Sequence, residues 1–284
     1  MPVSKKGTFM EIRGKYFILN GKQEPAEVFQ QLSAIEGPTL YEVFRIINGI
    51  PLFVEDHILR FENSAGLAGL VLPYTRDDIF RHVTILIRAN RFRNANIKLI
   101  ACYPSGKPPC YAAYFVEHQY PKPSEFRLGV DTITLRAVRQ NPNAKIFHTA
   151  LREETDALKK HLKVYEVLLV DNNGNITEGS RSNFFCIRGN QVITPPVHEV
   201  LPGVTRKYVL QACHNLKCPV SETSVPAGDL PSMEALFLTG TSRKILPIRK
   251  VDGGSFSVSH PMMRALMEEF GRIVDDYLSR HDKL

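Results

Sequence analysis

The sequence predicts a protein of mixed helix and strand structure (α+β / α/β) with two domains. The chain has 284 residues and is 43% apolar, which is enough to bury two ordinary cores or one large core. One proline-rich stretch, QYPKPS at 119–124, has the composition of a hinge. We therefore predict a smaller N-terminal α+β domain at 1–120, a linker at 121–127 and a larger C-terminal domain at 128–284.

Hairpin signals dominate the start of the first domain. Asn-Gly pairs at 20–21 and 48–49 each lie between apolar runs, and this is the strongest short-range signal of a β-hairpin. In the strand before the second pair, Tyr41, Val43 and Arg45 occupy alternate positions. Because side chains alternate across a strand, these three are expected on one face of the sheet.

Two helices are predicted next. Asp56 is the expected N-cap of the first helix, and apolar residues at 58, 61, 65 and 68 form one stripe along it. Arg60 lies in the second turn, where a solvated helix charge is the ordinary alternative to a function. Thr75 and Asp78 have the spacing of a capping box, which predicts the start of the second helix.

The second domain alternates apolar runs with helical patterns. A strand is predicted at 128–136, and an Asn-Pro-Asn turn comes shortly before Lys145. The helix predicted at 150–162 has an apolar stripe of leucines at 151, 158 and 162. The last helix, at 259–278, has its stripe at 266, 270, 273 and 277.

The segment 171–206 concentrates the unusual chemistry of the chain. DNNG at 171–174 is a hairpin turn signal, and the strand after it carries Glu178 into a loop with hydroxyl and backbone donors. LPGVTR at 201–206 leads into a helical pattern. A glycine-led loop of this kind directs backbone N–H groups, at the positive end of a helix dipole, toward one point that suits a phosphate.

An acid and a phosphate cradle on one short segment suggest a phosphorylated cofactor with a basic ring nitrogen. Pyridoxal 5'-phosphate (PLP) fits this description, and it also requires a lysine for its Schiff base. The plain alternative is that Glu178 is a surface carboxylate and that the glycine-led loop is an ordinary helix start.

Composition argues against several other classes of protein. No apolar run approaches the length of a membrane helix, and the first residues contain no continuous apolar region that would mark export. The five cysteines include no C-x-x-C pair and the nine histidines no HExxH motif, so neither disulfides nor a metal site are indicated. The net charge of +7 is scattered, which favours anionic small molecules over nucleic acid. A reducing cytoplasm is the expected location.

Six short sequence motifs occur along the chain. They are YEVFRIINGIPLFVEDHILRFENSA from 41, NAK from 143, ITEGSRSNFF from 176, TPP from 194, LPGVTR from 201 and FLTGTSRKILPI from 237. In their order and spacing, nearly the whole chain resembles the class IV (fold-type IV) PLP-dependent aminotransferases. This family includes branched-chain aminotransferase, D-amino-acid aminotransferase and aminodeoxychorismate lyase. The resemblance implies PLP bound at the interface of two domains, and a homodimer.

The resemblance also implies roles for two ionisable residues. Lys145 stands where the family has its Schiff-base lysine, which makes it the candidate catalytic residue. Glu178 stands where a carboxylate contacts the pyridine nitrogen of the cofactor. A carboxylate there favours the protonated ring, and the protonated ring is the better electron sink.

The resemblance in these motifs also implies the remaining cofactor contacts. Arg60 matches the phosphate-binding arginine, Val204 and Thr205 the backbone amides, and Thr241 the hydroxyl of the phosphate cup. Leu201 matches the residue packed against the ring. Tyr41 matches an aromatic side chain on the strand that enters the substrate pocket.

The implied reaction is a transamination in two halves. An amino acid displaces Lys145 from the cofactor, and the freed amine moves the Cα proton. A 2-oxo acid then leaves, and a second 2-oxo acid accepts the amino group. A branched-chain or similar amino acid is the expected donor. The alternatives are a D-amino-acid aminotransferase, an aminodeoxychorismate lyase and, from another class, a non-catalytic protein that kept the fold.

The substrate-binding positions are where the chain departs from the family. The arginine and histidine of D-amino-acid aminotransferases have no clear match in 104–111. The tyrosine and arginine that branched-chain enzymes have on the preceding strand are also absent, and Lys98 lies near their expected position. GTSRK at 240–244 replaces the commoner GTAAE-like turn. We expect Arg243, together with Arg45 or Lys98, to bind a substrate carboxylate. The alternative is that Arg243 contacts solvent or a dimer partner.

Overall fold

The computed structural model describes residues 12–29, 37–118 and 120–282 of the chain. Residues 1–11, on which our expectation about export partly rests, and Gln119 of the predicted hinge lie outside this part. The chain divides into two compact units. The first comprises the described part of Met1–His118 together with Lys145–Phe147, and the second the described part of Gln119–Ala144 and His148–Lys283.

The first unit is a six-stranded antiparallel sheet with two helices. Its elements are β1 (Ile12–Leu19), β2 (Lys22–Pro25), β3 (Thr39–Ile47), β4 (Ile50–Pro51), α1 (Val54–Leu67), α2 (Arg76–Asn90), β5 (Ala95–Cys102) and β6 (Cys110–Val116). The strand order is β2-β1-β6-β5-β3-β4. Both predicted hairpins are confirmed, since β1 pairs with β2 and β3 with β4. The turn residues have the positive φ values, 47° and 79° at 20–21 and 54° and 88° at 48–49, that two-residue hairpin turns require.

The helices of the first unit cover one face of its sheet. On β3, Leu40, Phe44 and Ile46 are fully buried in a core shared with α1 and α2. Each such side chain contributes about 1.5–3 kcal/mol through the hydrophobic effect. The intervening residues Tyr41, Val43 and Arg45 are half-buried on the opposite face, which confirms the predicted alternation.

The two predicted helix starts have different outcomes. The capping box of α2 is confirmed, because the Thr75 side chain accepts the Asp78 backbone N–H and the Asp78 side chain accepts that of Thr75. The prediction that Asp56 caps α1 is wrong, because α1 begins at Val54 after Phe53 in a left-handed conformation (φ 53°). Asp56 lies in the first turn instead, where its charge still complements the helix dipole.

The second unit is built on a ten-stranded mixed sheet. Its elements are α3 (Pro123–Leu128), β7 (Val130–Arg136), α4 (Thr149–Leu162), β8 (Glu166–Val170), β9 (Asn175–Gly179), β10 (Ser182–Arg188), β11 (Gln191–Thr194), α5 (Val204–Asn215), β12 (Val220–Glu222), β13 (Val225–Pro226), β14 (Ala235–Gly240), β15 (Lys244–Val251), β16 (Gly254–Ser255) and α6 (Pro261–His281).

Six strands of this sheet form a closed ring. The order runs β10-β14-β15-β7-β8-β9, and β9 pairs back onto β10 through Glu178 and Asn183. One apolar cluster of the unit includes Leu168, Phe184 and Leu236 from this ring. Strand β9 pairs with β8, β10 and β13. Glu178 lies within this strand and not in the loop that we predicted.

Three further predictions for the second unit have different outcomes. The segment predicted as a linker forms helix α3, which begins with Pro123 at a tolerated first-turn position and is capped by Glu125. Leu162 of the predicted stripe on α4 is 47% exposed, so that part of the prediction is wrong. The stripe of α6 is confirmed, because Leu266, Phe270, Ile273 and Tyr277 are all buried.

Two kinds of feature are absent from the described residues. None of the helices within 12–29, 37–118 and 120–282 is both long and apolar enough to cross a membrane. The same ranges contain no group of three or more histidine, cysteine, aspartate or glutamate side chains placed to hold a metal ion.

Candidate active site

Lys145 is fixed to the first unit through its backbone. Its carbonyl accepts the Tyr41 N–H at 3.1 Å, and two residues later the Phe147 N–H reaches the Thr39 carbonyl at 2.9 Å. The Lys145 N–H donates to the Ser64 hydroxyl at 3.1 Å. The segment Lys145–Phe147 therefore extends the sheet beside β3. The Lys145 ammonium lies 4.8 Å from the centroid of the Tyr41 ring.

Arg60 is buried against a glutamate and is not the solvated charge of the alternative interpretation. Its Nε donates to Glu42 Oε2 at 2.9 Å and its Nη2 to Glu42 Oε1 at 2.6 Å. Only 8% of Arg60 and none of Glu42 is exposed. This bidentate geometry fixes the plane of the guanidinium and hence the direction of its remaining N–H groups.

His57 completes the group around Glu42. Its Nδ1 lies 3.1 Å from Glu42 Oε1, and it donates its proton there because an ionised carboxylate only accepts. Burial alone would raise the pKa of Glu42, but Arg60 and His57 outweigh burial and hold that pKa well below the ordinary value. Burial lowers the pKa of His57 despite the opposing attraction of Glu42. The group is therefore an ion pair with a neutral histidine.

The predicted substrate residues of the first unit share one face of its sheet. Lys98 on β5 is the register partner of Val43, and Arg45 on β3 is the partner of Asn96, two residues before Lys98. The Lys98 ammonium lies 5.6 Å from the Tyr41 ring centroid and 5.4 Å from that of Phe147. The structure thus brings Tyr41, Lys98 and Lys145 together, and Arg45 lies farther along β3 on the same face of the sheet.

Glu178 in the second unit is almost completely buried and is held by a residue that the sequence did not reveal. Arg139 Nε donates to Glu178 Oε1 at 2.6 Å, and its Nη2 donates to the Ser180 carbonyl at 3.0 Å. The Leu201 N–H donates to Glu178 Oε2 at 3.2 Å. In the sequence, the only available signal for Arg139 was a basic residue shortly before Lys145, and that signal fits a solvated charge equally well.

The expected helix start after Leu201 is confirmed. Gly203 is the N-cap of α5 and has no side chain to cap the first N–H groups, while Val204 and Thr205 are 5% and 7% exposed. A Cβ on Gly203 would meet the Asn183 amide oxygen at 2.0 Å, and Asn183 itself donates to the Leu201 carbonyl. A larger residue at 203 would displace the Asn183 side chain, and with glycine there the positive end of α5 has no side-chain cap.

These features fit a phosphorylated pyridine cofactor. Leu201 connects the two halves of the arrangement, because its N–H contacts Glu178 and the α5 N-terminus follows two residues later. Thr241 lies in the turn between β14 and β15, close along the chain to Thr239, the register partner of Asn183. The second unit therefore places a buried carboxylate and an uncapped helix N-terminus close to each other along the chain.

Arg243 forms an ion pair with Glu166, a carboxylate of the protein itself. Its Nη2 lies 3.1 Å from Glu166, its Nη1 donates to the Arg181 carbonyl at 3.0 Å, and its guanidinium lies 5.4 Å from the Tyr165 ring centroid. Burial would raise the pKa of Glu166, but Arg243, Lys159 and hydrogen bonds such as that of Ser180 together lower it.

The serine hydroxyls of the loop expected around Glu178 bind a different acid. Ser180 and Ser182 both donate to Glu166 and not to Glu178. The sequence offered no sign of this arrangement, because Glu166 lies in an otherwise apolar strand.

Comparison with known proteins identifies the class to which this arrangement belongs. The family model for class IV amino-transferases matches residues 39–251. A D-alanine aminotransferase of Bacillus licheniformis is 27% identical over 241 residues, covering 79% of this chain and 83% of the relative. A probable branched-chain-amino-acid aminotransferase of Rickettsia bellii is 26% identical over 283 residues, covering 91% and 96%.

Solved structures agree with these relatives in fold. The branched-chain aminotransferase of the archaeon Thermoproteus uzoniensis, with norvaline, has a TM-score of 0.83 and 24% identity, covering 94% of this chain and 98% of that one. Another branched-chain amino acid aminotransferase, solved with pyridoxamine 5'-phosphate, has a TM-score of 0.84 and 20% identity, covering 95% and 98%.

The family follows from the match to most of the chain. The protein belongs to the class IV aminotransferases, which confirms the resemblance seen in the sequence. It is a transaminase, an enzyme that acts on amino acids and 2-oxo acids.

Proposed function

We propose that the chain binds PLP and uses it to transfer an amino group from an amino acid to a 2-oxo acid. When bound, PLP supplies the electron sink for a carbanion at the amino acid's Cα. The observation that carries the proposal is the pairing, through Leu201, of the buried Glu178 with the uncapped N-terminus of α5. The similar structure solved with pyridoxamine 5'-phosphate supports the choice of cofactor.

Each residue has a distinct part in this proposal. Lys145 provides the amine that holds the cofactor and then carries the Cα proton. Glu178, kept in place by Arg139, faces the ring nitrogen, and Leu201 packs against the ring. The phosphate is bound by a guanidinium, two backbone N–H groups and a hydroxyl, from Arg60, Val204, Thr205 and Thr241.

The amine of Lys145 is the part that can be tested directly. We expect Lys145→Ala to lose the visible absorbance of the bound cofactor and at least about three orders of magnitude of turnover, because it removes the amine that would bind the cofactor and carry the proton. Lys160→Ala, on the exposed face of α4, is the control and should retain both. Normal turnover by Lys145→Ala would refute the assignment.

A branched-chain or similar amino acid is the donor that we propose. Tyr41 offers an apolar ring, and Lys98 and Arg45 add positive charge on the same face. The similarity to a D-alanine aminotransferase favours a D-amino acid as the second candidate. Spectra recorded while L- and D-amino acids are added separately would identify the donor. Loss of colour with release of pyruvate from aminodeoxychorismate would identify a lyase instead.

The role of Arg243 in substrate binding is a separate question. Its contact with Glu166 supports a role in holding the β14–β15 turn, although binding of a substrate carboxylate stays a prediction. The homodimer and the cytoplasmic location also remain predictions, and sedimentation of the purified protein would test the dimer.

A further inference from the structure

The hydroxyl of Ser64 connects two segments that carry candidate active-site residues. It donates to the Arg60 carbonyl, one helical turn earlier in α1, at 2.8 Å. It also accepts the backbone N–H of Lys145 at 3.1 Å, although the two residues are 81 positions apart. Ser64 is completely buried. A hydroxyl has one proton to donate and lone pairs to accept, so both bonds can form at once.

We propose that Ser64 is a positioning residue, which holds the backbone of Lys145 against the helix that carries Arg60. The inference rests on the proposed function, because the position of Lys145 matters only if its amine takes part in the reaction. Ser64 does not itself touch the reacting atoms. Its hydrogen bond fixes the position of the Lys145 backbone, and hence the point from which the Lys145 side chain extends.

The setting of the bond supports this role. Serine within a helix commonly returns its proton to the carbonyl four residues earlier, and that bond fixes the direction of the oxygen's lone pairs. The lone pair of Ser64 then meets the Lys145 N–H. The Lys145 carbonyl is bound to the Tyr41 N–H, so both backbone polar groups of Lys145 are held by the first unit.

The arrangement also couples Lys145 to Arg60. Glu42 fixes the guanidinium of Arg60 on one side, and Ser64 ties the backbone of the same residue to Lys145 on the other. A shift of α1 would therefore move the candidate phosphate ligand and the candidate Schiff-base lysine together.

Amide hydrogen exchange in the full chain tests the proposal without reference to activity. In Ser64→Ala, the Lys145 amide should exchange at least about tenfold faster than in the unmodified protein, because its hydrogen-bond partner is gone. The Phe147 amide, bound to the Thr39 carbonyl, should change much less. An unchanged Lys145 amide would overturn the proposal, as would equal acceleration of both amides.

Thr84→Ala is the matched control. Thr84 in α2 makes the same bond to the carbonyl four residues earlier, that of Phe80, at 3.0 Å. Its removal should leave the Lys145 amide unchanged. If Ser64→Ala does not fold, the unmodified protein still decides: the Lys145 amide should be protected to the same degree as the amides at the end of α1. Exchange at the rate of an unstructured peptide would overturn the proposal.

A second measurement separates this role from the proposed function. Covalent attachment of added PLP should be at least about fivefold slower in Ser64→Ala, whereas affinity for pyridoxamine 5'-phosphate, which forms no bond with lysine, should be retained. Equal attachment rates in the two proteins would contradict the positioning role. A failure of the unmodified chain to take up PLP would instead contradict the proposed function and leave the exchange result intact.

Discussion

Each unit contains a buried arginine–glutamate pair that includes one candidate cofactor ligand, which is the arginine in the first unit and the glutamate in the second. In the first unit Arg60 is the candidate ligand and Glu42 holds it. In the second, Glu178 is the candidate ligand and Arg139 holds it. Burial of an ion pair is costly unless geometry and additional hydrogen bonds compensate. Both pairs meet this condition, but by different means.

The geometry of the two pairs explains the difference. Glu42 accepts hydrogen bonds from two N–H groups of Arg60 and from one of His57. These bonds fix the orientation of the Arg60 guanidinium. Arg139 donates its Nε–H to Glu178 and its Nη2–H to a backbone carbonyl. One oxygen of Glu178 is thus bound to the arginine, while the other faces the Leu201 N–H. In each pair, the holding partner orients the residue that we propose as the cofactor ligand.

The largest effect is expected from removing Glu42. Glu42→Leu would leave the Arg60 charge buried without a counter-ion and should lower the free energy of unfolding by about 3–5 kcal/mol. The double variant Glu42→Leu/Arg60→Leu should recover most of that loss. Urea unfolding of the unmodified protein, the single variant and the double variant measures both the loss and the recovery of stability. If the double variant is no more stable than Glu42→Leu, the two residues do not act as a pair.

Arg243 should behave as a holding residue of the same kind. Arg243→Ala removes the guanidinium from the fully buried Glu166 and should cost about 2–4 kcal/mol of stability, with the two serine hydroxyls limiting the loss. The KM for the amino donor should change little. A KM that rises tenfold or more with unchanged stability would favour the substrate-binding prediction.

Arg139 should show a smaller loss of stability and a larger loss of function. Arg139→Met should cost about 1–3 kcal/mol, because the Leu201 N–H still supports the Glu178 carboxylate. Turnover should fall by about tenfold or more, since Glu178 loses its orientation. Arg249→Met, at an exposed pair with Asp131, is the control and should leave turnover unchanged. Loss of stability without loss of turnover would make Arg139 purely structural.

The smallest effect concerns the pH dependence of stability. Burial lowers the pKa of His57 in the folded protein, so the unfolded chain binds more protons there as the pH falls below the ordinary histidine pKa of about 6.5. This group therefore stabilises the fold above that pKa and destabilises it as the pH falls. His57→Gln should reduce the slope of the free energy of unfolding between about pH 5 and 6.5 by at most about 1.4 kcal/mol per pH unit. An unchanged slope would mean that His57 binds protons equally in the folded and unfolded states over this pH range.

Local signals allowed much of the fold to be predicted. The capping box at Thr75, the Asn-Gly hairpins and the helix start at Val204 each depend on a few adjacent residues, and each is confirmed. Where a local signal was ambiguous, prediction failed. Asp56 has the chemistry of an N-cap, but the chain enters α1 two residues earlier.

The residues that hold the site were not predictable in the same way. Arg139 meets Glu178 across 39 positions, and Ser64 meets Lys145 across 81. Neither position has a local signal that separates it from an ordinary loop charge or helix serine. The resemblance to the family indicated the candidate cofactor ligands, whereas the residues that hold these side chains became visible only through the folded contacts.

The most direct test of the proposed function is to locate the cofactor on the chain. The full-length protein would be incubated with PLP, reduced with borohydride to make any bond with lysine permanent, and digested for mass spectrometry. We expect the added mass on the peptide that contains Lys145 and on no other. A modified lysine elsewhere, or no modified peptide from protein that has taken up PLP, would contradict the assignment.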